Sequence, residues 1–212
     1  MTIIDLHTHT KPASPCSDLD PVELIATAKQ LGLGGVCLTE HDKLWTAEAV
    51  LKLAQECSFL LLRGVEVSSN HGHILAFGLN EYSPDLWRAE KLRHAVDLAG
   101  GVMIAAHPFR TSATNIPIKQ ACQRSVFQLV DEIEVCNGVS PERENSMALE
   151  VCRQLGFKGV GGSDAHSVLE LGCCVTIFQN QIKSEEDLVA ELKAGRFSPA
   201  MLCRGSFVPI NG

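Results

Sequence analysis

The sequence predicts an α/β protein built on a largely parallel β-sheet covered by helices. Three observations lead there. Short apolar strands alternate with amphipathic helical stretches along most of the chain. The strands read as near-continuous apolar runs, the mark of strands buried on both faces. At one strand end after another the apolar run gives way to a histidine or an acid, on the edge where parallel α/β folds place their sites.

Ile3-Ile4-Asp5-Leu6 is the first strand and runs straight into His7-Thr8-His9. Residues two apart on a strand point to the same side, so both imidazoles can face one spot. Asp20-Pro21 opens a helix, with Asp as N-cap and Pro at the first helical position. Leu24, Ile25, Ala28 and Leu31 form its apolar stripe, and Gly32 and Gly34 end it. Gly35 to Thr39 is the second strand, leading into Glu40-His41-Asp42. Thr46 to Cys57 is the second helix. Phe59 to Val67 is a third strand, in which Glu66 is costly unless paired, ligating or protonated. His71-Gly72-His73 leads into a fourth strand, Ile74 to Gly78.

Pro84 to Ala99 reads as one long helix stopped by Gly100-Gly101. Val102 to Ala106 is a strand ending in His107-Pro108-Phe109-Arg110. Thr111 to Leu129 carries the weakest pattern and reads as a loop and a helix. Glu132 to Cys136 is a strand ending in Asn137-Gly138, and Pro141 to Leu155 is a helix. Gly159 to Gly162 is a short strand followed by Ser163-Asp164-Ala165-His166. Cys173 to Phe178 is the last strand. Ser184 opens the last helix, with an acidic first turn, and Gly195 stops it. Residues 195–212 read as an irregular tail. The whole of 1–212 reads as one domain.

At 212 residues the chain is long enough for a full core. Apolar residues make up 45% and charged residues 20%, which suits a soluble globular protein. The net charge of −7, with no basic run, excludes a duplex-coating nucleic-acid binder and leaves room for a small nucleotide. The N-terminus has no basic n-region or long apolar stretch, so no signal peptide is expected. No apolar run approaches the roughly 18 residues of a membrane span. There are nine cysteines and no CxxC. Cys37, Cys136 and Cys173 lie in apolar strand-like runs and read as reduced core residues of a cytoplasmic protein.

Eight side chains near strand ends are metal-ligand types: His7, His9, His41, Glu66, His73, His107, Asp164 and His166. One catalytic zinc takes about three protein ligands plus water. The excess predicts two or three divalent ions, with Glu66 as the bridging carboxylate. Ions roughly 3.5–4 Å apart share a hydroxide and polarise a phosphoryl oxygen. Phosphoester hydrolysis is the natural chemistry, and amide or lactone hydrolysis the other. No G-x-S-x-G elbow and no P-loop compete with this reading.

Asp5-Leu6-His7-Thr8-His9-Thr10, Leu38-Thr39-Glu40-His41-Asp42, Gly64-Val65-Glu66, Ala106-His107-Pro108 and Gly162-Ser163-Asp164-Ala165-His166-Ser167 resemble the PHP (polymerase and histidinol phosphatase) family. The motifs come in the family order, and the chain looks most like the short stand-alone phosphoesterases of that family. The resemblance implies a distorted (β/α)7 barrel over about residues 3–194 and a trinuclear site of zinc, manganese or iron. It implies that His7, His9, Glu66 and Asp164 hold one ion, that His41 and His166 hold a second, and that Glu66 bridges to a third held with His73 and His107. His71 lies on the same strand face as His73 and is the alternative ligand; His73 fits the family pattern better. Where the family carries an Asp or His soon after the HxH pair, this chain has Ser14-Pro15-Cys16-Ser17-Asp18. Cys16 or Asp18 could fill that place, or neither.

Arg110 is expected to clamp a substrate phosphate bidentately, and with Asp164 and His166 makes up the expected catalytic set. Arg143 is a weaker candidate for the same role. Asp42 is expected to orient a ligand histidine from behind, Glu40 to be a surface acid and His94 a surface residue. The expected partner is a small phosphorylated molecule, such as a nucleotide, recognised by residues 11–19, 82–87 and 111–119. Phe109 or Trp45 could stack one base. The rival readings are an amidohydrolase-like C–N or lactone hydrolase and an inactive metal-bound regulatory module.

Overall fold

The computed structural model describes residues 1–110 and 115–210. The chain runs β1 (Thr2–Thr8), α1 (Pro21–Gln30), β2 (Gly35–Leu38), α2 (Ala47–Cys57), β3 (Leu61–Ser69), β4 (Gly72–Phe77), α3 (Ala89–Ala99) and β5 (Val102–Ala105). It continues through α4 (Ile118–Ala121), β6 (Glu132–Asn137), α5 (Glu142–Leu155), β7 (Val160–Gly162), β8 (Cys174–Phe178), α6 (Glu185–Lys193), β9 (Phe197–Cys203) and β10 (Ser206–Pro209). The predicted helix starts hold: the side chains of Asp20, Thr46 and Ser184 cap α1, α2 and α6.

All ten strands form one curled sheet in the order β10-β9-β8-β1-β2-β3-β4-β5-β6-β7. The mixed α/β class is as expected. The expected distortion of the (β/α)7 barrel is visible in a sheet that is only half parallel, in which a count of seven β/α units is not confirmed. β1–β2–β3 and β5–β6–β7 are parallel, whereas β3–β4–β5 and β1–β8–β9–β10 are antiparallel. The reason for the first departure is chain length. Ser69 pairs with Gly72, so only Asn70 and His71 join β3 to β4, and a parallel crossover needs a dozen residues or more.

Three expectations are corrected. Residues 195–212, expected as an irregular tail, carry the β9–β10 hairpin, closed by Arg204 and Gly205 in left-handed backbone; positions 111–114 and 211–212 lie outside the described residues. The long helix expected over 84–99 is a 3₁₀ turn, Pro84–Trp87, then α3, separated by Arg88 in extended backbone. Cys136, expected to be a free thiol, is joined to Cys174 by a disulfide between β6 and β8, while Cys37 and Cys173 are free as expected.

The inside of the curl is a packed core of Ile4, Leu6, Leu62, Leu75, Ile104, Val160 and Phe178. Leu92, Val96, Met147 and Val151 of α3 and α5 cover one outer face, and Leu24, Ile25 and Ala28 of α1 cover another. The curl closes where the end of β7 meets the end of β1. Asp164 N donates to His7 O at 2.7 Å and His9 N to Ala165 O at 3.0 Å. Glycine is needed at this seam: a Cβ on Gly161 would stand 2.5 Å from Val175 O, and one on Gly162 2.5 Å from the His7 Cβ. Among the described residues, no helix is long and apolar enough to cross a membrane.

The disulfide closes a loop of 38 residues, for which chain entropy predicts about 4 kcal/mol of stabilisation. Urea unfolding with and without reductant should therefore show a lower midpoint for the reduced protein, with a drop in stability of that order. A Cys136→Ser variant should show the same drop and lose its sensitivity to reductant.

Candidate metal centre

The strand ends converge on the carboxylate of Glu66, which β3 carries with no solvent exposure. Its Oε1 lies 2.8 Å from both His73 Nδ1 and His107 Nε2. Its Oε2 lies 2.9 Å from His41 Nδ1, 3.2 Å from His9 Nε2 and 3.4 Å from His7 Nε2. Asp164 completes the ring, with Oδ1 at 3.1 Å from His9 Nε2 and 3.5 Å from His7 Nε2.

Three groups of these atoms are compact enough to hold an ion each: His7, His9, Glu66 and Asp164; His9, His41 and His166; and His41, Glu66 and His73. All eight residues singled out from the sequence are thus brought together. His107 reaches Glu66 but falls outside these three groups, and His9 and His41 each belong to two of them.

The donor set fits divalent cations on an observation independent of any pattern. His7 Nδ1 faces Glu134 Oε1 at 3.0 Å, which leaves its Nε2 as the atom turned toward a cation; that Nε2 sits 3.1 Å from His9 Nε2. His166 Nδ1 lies 2.8 Å from the Asp164 carbonyl, so it donates there and its Nε2 is free as a lone pair. Glu66 Oε2 is buried, surrounded by imidazoles and without a hydrogen bond. Acceptors converging on one point, with a buried orphan oxygen among them, call for a cation.

Without an ion, protons on the imidazoles answer the buried carboxylates. Burial alone would raise the pKa of Glu66, but His7, His107 and His41 outweigh it and hold the carboxyl well below its ordinary range. Asp164 behaves likewise: burial raises, and His7, His9 and Arg110 lower it far more. In His7, burial is outweighed by Asp164, Glu134 and Glu66, which lift the imidazole well above 6.5. His166 is lowered by burial and by His9. Asp5, buried at the root of β1, is raised to about 6 by burial although it accepts from His7 N, Ser163 N and Gly172 N.

Backbone strain gathers here. Asp42, His107 and Asp164 all have positive φ, at 50°, 26° and 56°, conformations that non-glycine residues keep only when the surroundings hold them.

Other expectations sort as follows. His71 turns away from the cluster, between Ser125 Oγ (2.6 Å) and Glu90 Oε1 (3.0 Å), so the structure places His73 in the cluster. Cys16 and Asp18 are exposed and belong to none of the three groups. Ser14 fills that space instead, with its hydroxyl on Glu40 Oε2 and 3.4 Å from His9 Nδ1.

Glu40 is corrected from surface acid to fully buried anchor. It accepts from Thr10 N, the Thr10 and Ser14 hydroxyls and Trp45 Nε1. Asp42 does not orient a histidine: it accepts from Ser68 N and the Tyr82 hydroxyl. Phe109 is buried in the core and cannot stack a base. Arg143 is exposed on the first turn of α5, outside the cluster, and His94 is exposed as expected.

Arg110 sits at the edge of the centre, with Nη2 2.5 Å from Asp164 Oδ2 and 2.8 Å from Asn137 Oδ1. It lines a cleft of about 270 Å³ with His71, His73, His107, Pro108 and Arg124. Arg124 went unnoticed in the sequence because it falls in the weakly patterned segment. It donates to Pro108 O and lies over the Phe109 ring at 5.3 Å. Glu134 also went unnoticed, although an acid inside an apolar strand is the same signal that marked Glu66.

The PHP domain model matches residues 5–86, and the PHP-associated model matches residues 142–197. The uncharacterized protein MJ1587 of Methanocaldococcus jannaschii is 29% identical over 143 residues, 63% of this chain and 80% of that one. A two-domain protein from Bacteroides vulgatus, described as containing a predicted PHP-like metal-dependent phosphoesterase, has a similar structure, with a TM-score of 0.68 at 19% identity. The alignment covers 93% of this chain and 64% of that protein, so the chain spans less than two thirds of its length. An amidohydrolase from Chromobacterium violaceum, with bound sulfate and no metal, gives a TM-score of 0.64 at 18% identity, covering 96% and 98% of the two chains. At such identities the likeness is one of fold.

The charge balance predicts a pH window for the metal-free protein. Glu66 and Asp164, lowered from 4.5 and 3.8, contribute stability that is present above those values and lost as pH falls through the lowered ones. His7 and His9, raised from 6.5, contribute stability present below 6.5 and lost as pH rises through the raised values. Chelator-treated protein should therefore melt highest between about pH 4.5 and 6.5. A melting temperature that rises steadily from pH 6.5 to 9 would contradict this.

Proposed function

This chain belongs to the PHP family, and from that premise we propose that it is a metal-dependent phosphoesterase acting on a small-molecule or nucleotide phosphate ester. The observation that carries the reading is the buried Glu66 carboxylate ringed by five histidines, with Asp164 completing the ring. In this reading His7, His9, Glu66 and Asp164 hold one divalent ion, His41 and His166 with His9 a second, and Glu66 with His73 and His107 a third, as zinc, manganese or iron. Bound ions supply charge neutralisation at a phosphoryl oxygen and activate water as the nucleophile.

The chain's own residues do the rest. Arg110 binds the phosphoryl group at the cleft edge. Its guanidinium already holds one anion, Asp164, and its donor fork suits a phosphate. Asn137 steadies that arrangement, accepting from Arg110 through Oδ1 and donating to Asp164 Oδ2 through Nδ2. Asp164 or a site histidine relays the proton. His166, lowered toward its neutral form, presents Nε2 to the centre. Arg124 and His71 form the far wall of the cleft, where the remainder of the substrate lies. An amidohydrolase-like C–N or lactone hydrolase is the second reading, supported by the structural likeness to the Chromobacterium protein.

The test is phosphate release from an aryl phosphomonoester, an aryl phosphodiester, histidinol phosphate and 3′,5′-bisphosphonucleotides, beside amide and lactone substrates. Turnover of a phosphate ester should stop on chelation and return with Mn²⁺ or Zn²⁺. Asp164→Asn should lower it by more than the roughly 10- to 100-fold that loss of an outer partner costs. Turnover of amides or lactones alone would transfer the assignment to the second reading. Bound metal without any turnover would indicate the inactive module.

A further inference from the structure

We infer that Glu134 is the positioning residue that fixes the tautomer of His7 and the backbone of His107 together, and so ties two ends of the metal centre to one strand. The inference rests on the metal-binding reading above. Glu134 lies in β6 with 1% exposure and is not itself in any of the ligand groups. Three donors converge on its carboxylate. His7 Nδ1 meets Oε1 at 3.0 Å, while His107 N and Asn137 Nδ2 donate to Oε2 at 2.8 and 3.0 Å.

A carboxylate is acceptor-only when ionised, which is what three converging donors require. The consequence for His7 is chemical: its proton sits on Nδ1, and Nε2 is left as a ligand facing His9, Glu66 and Asp164. The consequence for His107 is conformational. Its φ of 26° is unfavourable for a residue with a Cβ, and the hydrogen bond from its N–H to Glu134 holds it there, with Nε2 turned 2.8 Å from Glu66 Oε1.

The two rings lie near parallel, at 21°, with their centroids 5.6 Å apart. Gly162 closes the remaining side, since a Cβ there would stand 2.8 Å from Glu134 Oε1. A glutamine at 134 would keep the shape and break the logic. It has one acceptor oxygen and one amino group, and either orientation sets the amino group against an N–H donor.

The experiment compares wild type with Glu134→Gln in three readouts. Zinc affinity of the stripped, folded protein is measured by competition with a chromophoric chelator, and should fall by about 10- to 100-fold in the variant. Histidine ¹⁵N spectra of the zinc-loaded protein should report His7 protonated at Nδ1 and not at Nε2 in the wild type, and a changed pattern in the variant. The melting temperature of the metal-free protein separates positioning from scaffolding. A purely structural residue would lower it and leave the zinc affinity of the folded protein unchanged, which would overturn the inference. If Glu134→Gln does not fold, Glu134→Asp keeps the acceptor-only charge and should bind zinc with an affinity between wild type and a 100-fold loss; unaltered affinity there overturns the inference. If the wild type binds no zinc, the metal reading fails, and the His7 tautomer, read above the pH at which the imidazolium loses a proton, decides the role of Glu134: an Nε2–H tautomer rules it out.

Discussion

A single buried carboxylate sets the terms for this molecule. Glu66 sits in the middle of β3 with no exposure to solvent, where an ionised acid is tolerated only when countered by charge. Five imidazoles from four separate stretches of chain answer it. That arrangement cannot be reached by local structure alone. It requires the ends of β1, β2, β3, β4 and β5 to lie on one rim, which is what a curled sheet provides. The repulsion between the buried carboxylates of Glu66 and Asp164 makes the centre a standing demand for positive charge, so the residues that define the fold's rim also define its chemistry.

The second requirement is that the edge strand β7 meets β1 and β8, which lie inside the sheet. Asp164 and His166 come from the loop after β7, more than 150 residues from His7 and His9. No ladder joins β7 to β8 among the described residues; the seam is made by Asp164 N on His7 O, His9 N on Ala165 O and the Thr176 hydroxyl with the backbone of Gly161. Glycine at 161 and 162 allows the close approach. Asp5 pins the same seam from below, accepting from His7, Ser163 and Gly172. The Cys136–Cys174 disulfide bridges β6 to β8 beside it. The positions that complete the centre therefore depend on small residues and buried polar anchors rather than on regular pairing.

Much of the centre was legible in the sequence because metal-ligand residues stand where apolar runs stop, and that edge is shared by all parallel strands. Glu66 was legible because an acid inside an apolar strand demands a reason. Glu134 carries the same signal inside an apolar strand, whereas Glu40 follows the apolar run and does not. The burial of Glu40 comes from Thr10, Ser14 and Trp45, which only the folded chain brings to it. What is not encoded locally was not legible. The β3–β4 hairpin is deducible from the six residues between Val67 and Ile74, too few for a parallel crossover. The β9–β10 hairpin is hidden by Pro199 and by an Arg204-Gly205 turn without the usual Asn-Gly or Asp-Gly signature. The disulfide pairing follows from three-dimensional proximity, which cysteine spacing does not reveal. Asp42 shows the limit of motif reasoning: adjacency to His41 suggested a role toward that ring, and its left-handed backbone sends the carboxylate to Ser68 and Tyr82 instead.

The central claim is that the Glu66 cluster is a cation site. The most direct measurement is an anomalous difference map from crystals soaked in Mn²⁺ or Zn²⁺, recorded on either side of the metal's absorption edge. The account predicts peaks flanking the Glu66 carboxylate, one within reach of His7, His9 and Asp164. Ordered crystals with ions bound elsewhere, or with water alone at Glu66, would contradict it.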